Sequence, residues 1–291
     1  MRSFIRNILI SALHFSSFTW DGACPAQWNM ARQTSTLRTR DTVLASSSHN
    51  TMTDFAQRSL DFARRYPNPG RKGDFSDCGA ILRELHKHHD GKFGYVIYRI
   101  TYDNNEEWEH FMERLWEFAA AALEFALRGH EVEDRFEWDV RDDAAVLSGA
   151  TKSEVRRLFM DWVDSVDGHR GMPRYRHCIY ADQEVVDAVL SGEPPWTENP
   201  DDVFHPRAFV KIVDSLHEDH LRQDAEHETD SEQRAKMNAG DEGYPDLEGC
   251  KRRDVGWYKQ SARFLVPRAY HLLMNDGWYQ AYRRPPAIGS D

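Results

Sequence analysis

Hydrophobic and polar positions alternate along residues 93–102, and this stretch predicts the strand around which the chain is organised. Val96 and Tyr98 fall on one side at the period of two that a β-strand produces, while Arg99 points to the other side. Asn104 and its neighbours then supply capping side chains, and two glutamates follow where the helix dipole favours negative charge. The pattern therefore predicts a strand that runs directly into a helix.

Apolar residues recur at intervals of three and four in several other stretches, which is typical of helices with one buried face. The clearest start lies at Thr151 and Glu154, whose spacing is that of a capping box, because each side chain can bind an otherwise unpaired backbone amide. The predicted helices cover about residues 54–66, 77–89, 106–128, 152–166, 183–190 and 254–273.

Three further stretches predict strands, at residues 135–140, 174–180 and 209–213. Their polar and apolar residues alternate, whereas a parallel sheet that is buried on both faces gives more continuous apolar runs. We therefore predict an α+β fold with a four-stranded, mostly antiparallel sheet. In this fold the helices pack on one face of the sheet, and aromatic-rich helices follow at the C-terminus.

Negative charge is concentrated in one segment of the chain. The 291 residues carry a formal net charge of −11, and twelve acidic against three basic residues lie between Asp214 and Glu248. The remainder has little net charge and no basic stripe, which argues against general nucleic-acid binding. Because residues 214–245 also lack a sustained hydrophobic period, we predict a mobile acidic insertion there.

The N-terminal residues differ in composition from the rest. Residues 1–26 combine a basic start, a mostly apolar run and small residues near Pro25, as in a secretory signal. The arginine- and serine-rich composition up to residue 50 also suits a mitochondrial presequence, and a disordered leader is the third interpretation. We predict a leader or disordered tail over residues 1–52 and a single domain over residues 53–286. We also predict no transmembrane segment and a cytoplasmic location, with secretion or mitochondrial import as alternatives.

Residues of metal-binding type are present without the spacing of a known site. His217 and His220 are one residue closer than the two histidines of the His-Glu-x-x-His zinc motif. Glu137 and Asp139 lead into two further aspartates that could hold Mg²⁺, but they equally suit the polar face of a strand and its turn. The four cysteines are widely spaced, without a CxxC pair. We therefore predict no metal site and no cofactor.

Two arginines and a histidine are the main candidates for binding chemistry. Arg174 and Arg176 should project to the same face of the strand at residues 174–180, beside His177. Two guanidinium groups held in this way could clamp a carboxylate or phosphate, and Arg99 could join them from a neighbouring strand. The alternative is that these arginines form ordinary ion pairs with the acidic residues of the strand at 135–140.

Aromatic residues are dense near the C-terminus. Trp257, Trp278, Tyr279 and Tyr282 could line a small-molecule pocket, because such pockets are often aromatic with a few polar groups. Their spacing equally suits packing in the core. Both interpretations remain open at this point.

Several of these stretches together resemble a known family. Residues 93–102 with the helix that follows, 174–178, 254–257 and 284–286 resemble, in the same order, a family of uncharacterised proteins from filamentous ascomycete fungi. The resemblance covers roughly residues 93–286 and implies a fungal source. The family has no established activity, so the resemblance implies no catalytic residue.

The sequence contains no glycine-rich phosphate loop, nucleophile elbow or kinase motif. Our leading hypothesis is therefore a domain that binds an unknown protein partner or a small acidic ligand without catalysis. The first alternative is an enzyme of small-molecule metabolism, with a pocket between the sheet and the C-terminal helices and with Arg99, Arg176 and His177 as its working residues. The second alternative is a secreted effector. Whether the protein is an enzyme remains open.

Overall fold

A computed structural model describes residues 51–166, 171–197 and 199–290, and Arg58–Asp291 form one compact unit. Its helices are α1 (Thr51–Arg65), α2 (Asp77–Lys87), α3 (Asn105–Phe125), α4 (Ala144–Leu147), α5 (Lys152–Ser165), α6 (Gln183–Ser191), α7 (Pro200–Phe204), α8 (His217–His227), α9 (Ser231–Ala239), α10 (Tyr270–Leu273) and α11 (Trp278–Ala281). Its strands are β1 (Val96–Arg99), β2 (Asp139–Arg141), β3 (His177–Ala181), β4 (Phe209–Asp214), β5 (Trp257–Ser261) and β6 (Ile288–Gly289). The predicted leader lies almost wholly outside the described residues.

The described strands form one six-stranded mixed sheet in the order β2-β1-β3-β4-β5-β6. Strand β1 runs parallel to both β2 and β3, and β6 runs parallel to β5. Only the pairings β3–β4 and β4–β5 are antiparallel. The fold is therefore a mixed α/β architecture, and the prediction of a four-stranded, mostly antiparallel sheet is wrong.

Helices cover both faces of the sheet. On one face, Phe111 and Leu115 of α3 belong to the same buried cluster as Ile97 of β1. On the other face, Phe159 of α5 belongs to a second cluster with Val96 and further residues of β1 and β3. All four residues of β1 are buried, as expected for a strand covered on both sides. The prediction that helices pack on one face only is therefore also wrong.

The strand β5 replaces part of a predicted helix. Trp257 and Tyr258 point to opposite faces of the sheet and belong to different hydrophobic clusters. The strand pairs with β4 from Phe209 to Val213, so its backbone amides and carbonyls are satisfied by neighbours distant in sequence. A short run of mixed aromatic and polar residues cannot be assigned to a helix or a strand by its period alone. The pairing with β4 makes this run a strand.

Two other predicted strands begin later than expected. Short 3₁₀ turns occupy Glu133–Arg135 and Pro173–Tyr175, before β2 and β3 begin. As a consequence, Arg174 lies in a turn and does not share a strand face with Arg176. The acidic segment, predicted as an insertion without a sustained period, contains the two helices α8 and α9.

Local helix signals are confirmed. The Thr151 amide donates to the Glu154 carboxylate at 2.7 Å, and the Glu154 amide donates to the Thr151 hydroxyl at 3.3 Å, so the predicted capping box forms. The Asn104 side chain accepts from two amides in the first turn of α3. Among the described residues, no helix combines the length and apolar character needed to cross a lipid bilayer.

We predict that Phe159→Ala lowers the free energy of unfolding by about 3–5 kcal/mol, because it removes a fully buried ring from the α5 face. Urea denaturation at pH 7 measures this change. Phe204→Ala, at an exposed position of α7, is the control and should change stability by about 0.5 kcal/mol or less. An equally small effect at Phe159 would contradict the conclusion that the α5 side is a true core.

Candidate functional site

A group of ionisable side chains meets where β3 begins and β4 ends. Strand pairing places His177 of β3 directly opposite Asp214 of β4. Helix α8 starts three residues after Asp214, and His217 and His220 lie on neighbouring turns of it, so both can turn back toward the strand end. Arg176 precedes His177. We call Arg176, His177, Asp214, His217 and His220 the histidine cluster.

The Asp214 carboxylate lies at the centre of the histidine cluster. Its Oδ1 is 3.4 Å from His177 Nδ1, and its Oδ2 is 3.0 Å from His220 Nδ1. Arg176 Nε is 3.9 Å from Oδ1. The Leu216 amide, at the entry to α8, donates to Oδ1 at 3.3 Å. The side chains of Asp214 and His177 are 0% exposed, so these contacts form away from bulk water.

The surroundings set the ionisation of Asp214 and His220 in opposite directions. Burial alone would raise the pKa of Asp214, but the hydrogen bond with His220 and the nearby positive charges outweigh burial and lower it. The same hydrogen bond to Asp214 raises the pKa of His220, against the opposing effects of burial and Arg176. Asp214 is therefore a buried carboxylate that stays ionised at neutral pH.

The other two histidines are held neutral. Burial lowers the pKa of His177 to about 4, because the imidazolium form loses its hydration. Burial and the charge of Arg156 lower the pKa of His217 to about 4. The histidine cluster thus contains two neutral imidazoles and one whose protonation is favoured by a carboxylate.

A surrounding layer of residues fixes the cluster in place. Trp278 stacks on His177 with ring centroids 5.4 Å apart, and its indole N–H donates to Asp254 Oδ2 at 2.7 Å. Asp254 Oδ1 is 3.7 Å from His217 Nδ1. Arg156 of α5 donates from Nε to the carbonyl oxygen of Asp214 at 2.8 Å. The cluster is therefore joined to α5, α8, α11 and the strand β5 that follows Asp254.

The cluster approaches the surface at Arg176 and His220. Arg176 Nη2 donates to His220 Nε2 at 2.9 Å, which assigns the proton of a neutral His220 to Nδ1, facing Asp214. Arg176 Nη1 contacts the carboxylate of Asp276, whose side chain is 81% exposed although that of Arg176 is only 3% exposed. The exposed Tyr279 lies beside His220 with ring centroids 5.9 Å apart.

The structure separates the predicted arginines. Arg174 Nη2 lies 3.1 Å from Asp139 and 3.6 Å from Glu137, which are the ion pairs of the alternative interpretation. Arg99 aligns with Ala181, at the far end of β3, about 13 Å along the strand from His177. There it donates to Asn105 Oδ1 at 2.6 Å and to the carbonyl oxygen of Thr101 at 2.9 Å, and it pairs with Asp142 at 3.3 Å. Of the four predicted binding residues, only Arg176 and His177 meet.

The predicted aromatic residues are also divided. Trp278 is fully buried, and Tyr282 packs on it with ring centroids 5.4 Å apart. Tyr279 is exposed beside the histidine cluster. Trp257 lies on the opposite face of the sheet, with Lys152 Nζ 4.3 Å from its ring centroid. The four side chains therefore occupy three different environments.

Sequence reasoning missed Asp214 and Asp254 and considered His217 and His220 only as an imperfect zinc motif. Within the described residues, no group of three His, Cys, Asp or Glu side chains has a geometry that could hold a metal ion. The useful signal was an aspartate at the predicted end of a strand, followed by two histidines one helical turn apart. Its significance depends on the pairing of β3 with β4, which the sequence alone does not specify.

Comparison with family models, curated proteins and solved structures found no match to this chain.

We predict that the protein loses stability on acidification because of its buried neutral histidines. An unfolded histidine takes up a proton near pH 6.5, whereas His177 and His217 do so only near pH 4, so the free energy of unfolding falls as pH drops through this interval. Each should contribute about 1–2 kcal/mol between pH 6.5 and 5. His220 and Asp254, with raised pKa values, act in the opposite direction, and Asp214 acts at lower pH.

Urea denaturation at pH 7 and pH 5 measures this effect. His177→Asn should reduce the loss of stability between the two pH values, whereas His220→Asn should increase it. The two variants remove the same kind of side chain from the same cluster, so each controls for the other. An unchanged pH dependence in His177→Asn would show that this histidine is not held neutral by the fold.

Proposed function

We propose that the protein is a binding domain that recognises the carboxylate of a small acidic ligand or partner through Arg176, without catalysing a reaction. The observation that carries this proposal is the contact between a buried arginine and an exposed carboxylate. Arg176 is fixed from behind by Asp214 and His220, while its outer Nη1 holds Asp276 at the surface. A guanidinium positioned in this way presents a ready site for an anionic group.

The fixed position of the Arg176 side chain supports its proposed role in binding a carboxylate. The Arg176 side chain is already ordered by its contacts within the histidine cluster, so a ligand would not bear the cost of ordering it. A ligand carboxylate could take the position of the Asp276 carboxylate without changing the net charge around Arg176. His220 and Tyr279, which lie next to this position, would add contacts of mixed polar and aromatic character.

Arg174 offers a matched comparison, because it is similarly buried but its carboxylate partners are the less exposed Glu137 and Asp139. Asp276 should compete with any added carboxylate, because it is held close to Arg176 at high effective concentration. These two features make the proposal testable with simple probes.

We expect Asp276→Asn to bind succinate or citrate about tenfold more tightly than the wild type, because the internal competitor is lost. Arg176→Gln should abolish this binding, and Arg174→Gln should retain it. Isothermal titration calorimetry gives the affinities, and circular dichroism establishes that each variant is folded. The proposal fails if neither carboxylate binds to a folded Asp276→Asn protein, or if both arginine variants lose binding equally.

An enzyme is the second candidate, and the Asp214–His220 pair is the observation that favours it. A carboxylate 3.0 Å from one imidazole nitrogen orients the ring and raises its basicity, which is the arrangement of a general base. His220 Nε2 is engaged by Arg176, so a substrate would have to displace that contact to reach the base. The pocket would lie at Arg176 and His220, and not between the sheet and the buried Trp278.

The enzyme hypothesis predicts turnover that depends on His220. We would incubate the protein with a mixture of small metabolites and follow their consumption by mass spectrometry. Wild type and Arg174→Gln should give the same product, and His220→Asn should lower its rate by about 10²-fold or more. Equal rates in His220→Asn and the wild type would remove this histidine from any catalytic role.

The source and the location of the protein stay predictions. A fungal source rests on the resemblance of residues 93–286, and a cytoplasmic location rests on the composition of the chain. The secreted-effector alternative depends on residues 1–26, which lie outside the described residues.

A further inference from the structure

Helices α8 and α9 border an open groove of about 560 Å³. Charged and polar residues form most of its lining, and Leu221 and Ala225 of α8 with Met237 of α9, all three half-buried, form its apolar part. This volume lies within the range of small-molecule sites. The groove does not include Arg176 or any other member of the histidine cluster.

The groove gathers basic residues from an otherwise acidic segment. Only three basic residues lie between Asp214 and Glu248, and two of them, Arg222 and Arg234, line the groove. Arg252, from the stretch that leads to β5, lines it as well. Glu218 and Glu226 of α8 contribute negative charge to the same lining.

Most of these charges have no ionic partner within the described residues. Arg222 pairs with Asp219 at 2.6 Å, but Arg234 donates from Nε to the backbone carbonyl of Glu228 at 2.9 Å. Arg252 donates to the backbone carbonyl of Met237 at 3.2 Å. These carbonyls hold the guanidinium groups in place without neutralising them.

The acidic residues of the groove also lack ionic partners within the described residues. Neither Glu218 nor Glu226 forms an ion pair with a described residue, although Arg234 and Arg252 line the same groove. Glu218 and Glu226 are two turns apart on α8, so they are separated by about 12 Å along the helix axis. Opposite charges thus face one groove without meeting, which leaves space for a ligand that carries both charges.

We propose that this groove binds a zwitterionic amino acid with a large apolar side chain. Its carboxylate would lie at Arg234 and Arg252, and its ammonium group at Glu218 or Glu226. Its side chain would cover the apolar surface formed by Leu221, Ala225 and Met237. A zwitterion also fits the electrostatic setting, because a molecule without net charge is not repelled by the surrounding acidic segment.

A second groove, on the other side of α9, provides a contrast. It encloses about 530 Å³ and is lined by Lys236 together with Glu232 and two further acidic residues. Lys236 pairs with Glu232 at 2.8 Å, so its charge is already neutralised. This groove lacks an arginine, and Lys236 therefore serves as a control position on the same helix.

The test uses the full-length protein and three related probes. L-phenylalanine carries both charges, N-acetyl-L-phenylalanine only the negative charge and L-phenylalaninamide only the positive charge. We expect L-phenylalanine to bind about tenfold more tightly than either analogue, because each analogue loses one charged contact. Isothermal titration calorimetry or ligand-observed NMR measures the three affinities.

Variants assign each charge to its side of the groove. The double variant Arg234→Gln and Arg252→Gln should bind L-phenylalanine and its amide equally. The double variant Glu218→Gln and Glu226→Gln should bind L-phenylalanine and its N-acetyl derivative equally. Lys236→Gln should bind like the wild type, because Lys236 pairs with Glu232 and lines the other groove. Thermal melts followed by circular dichroism establish that the variants are folded.

Two results would overturn the proposal. One is the absence of saturable binding of L-phenylalanine to the folded wild type up to about 10 mM. A dissociation constant above this value would be too weak for a site that provides two charged contacts. The other is an equal affinity for all three probes, which would mean that the apolar surface alone binds them.

Discussion

The buried carboxylate of Asp214 is the constraint on which this part of the fold depends. Transfer of an isolated ionised carboxylate from water into a protein interior costs several kcal/mol, so it must be compensated by nearby charges and hydrogen bonds. Arg176, His220 and the amide of Leu216 provide this compensation from three different positions along the chain. Helix α8 must therefore dock against the end of β4 for the carboxylate to be tolerated. This requirement fixes the first residues of the acidic segment beside the sheet.

The same constraint explains why the neighbouring histidines are neutral. The charge of Arg176 and the close approach of His220 already compensate Asp214, so a positive charge on His177 would be buried without a partner of its own. Stacking on Trp278 and full burial of His177 fit its neutral form. Removal of one member of such a group is costly, by about 3–5 kcal/mol for a buried ion pair, because the remaining charge loses its partner.

Local signals predicted those parts of the fold that short-range chemistry determines. The strand β1, the capping box before α5 and the start of α3 at Asn104 depend on residues a few positions apart, and all three are present. The strand β5 could not be predicted in this way, because its backbone is satisfied by β4 and β6. The covering of both faces was missed for a related reason. Arg99 is polar, so the sequence pattern places it on an exposed strand face. In the structure it is buried, and its guanidinium group donates hydrogen bonds to Asn105 and to the carbonyl of Thr101.

The candidate site was predictable only in part. Arg176 and His177 were identified because their residue types and spacing suggest anion binding, but their partner Asp214 lies 37 residues after His177. Nothing in the local sequence specifies that these two positions pair. The groove between α8 and α9 was missed for another physical reason. Its apolar residues are few and half-buried, so α8 and α9 lack the strong stripe that reveals a core helix.

Helix α8 connects the two candidate sites, and its two walls differ in how firmly they are held. His217 and His220 reach into the histidine cluster, while Glu218 and Leu221 line the groove, since successive residues of a helix point about 100° apart. The contact of His220 with Asp214 therefore fixes the α8 wall of the groove. None of the nine residues of α9 is buried, so the opposite wall rests on half-buried contacts and on hydrogen bonds such as those of Arg234 to Glu228 and of Arg252 to Met237. Adjustment to a ligand should thus occur mainly in α9, because movement of α8 would separate a buried carboxylate from the imidazole that stabilises it.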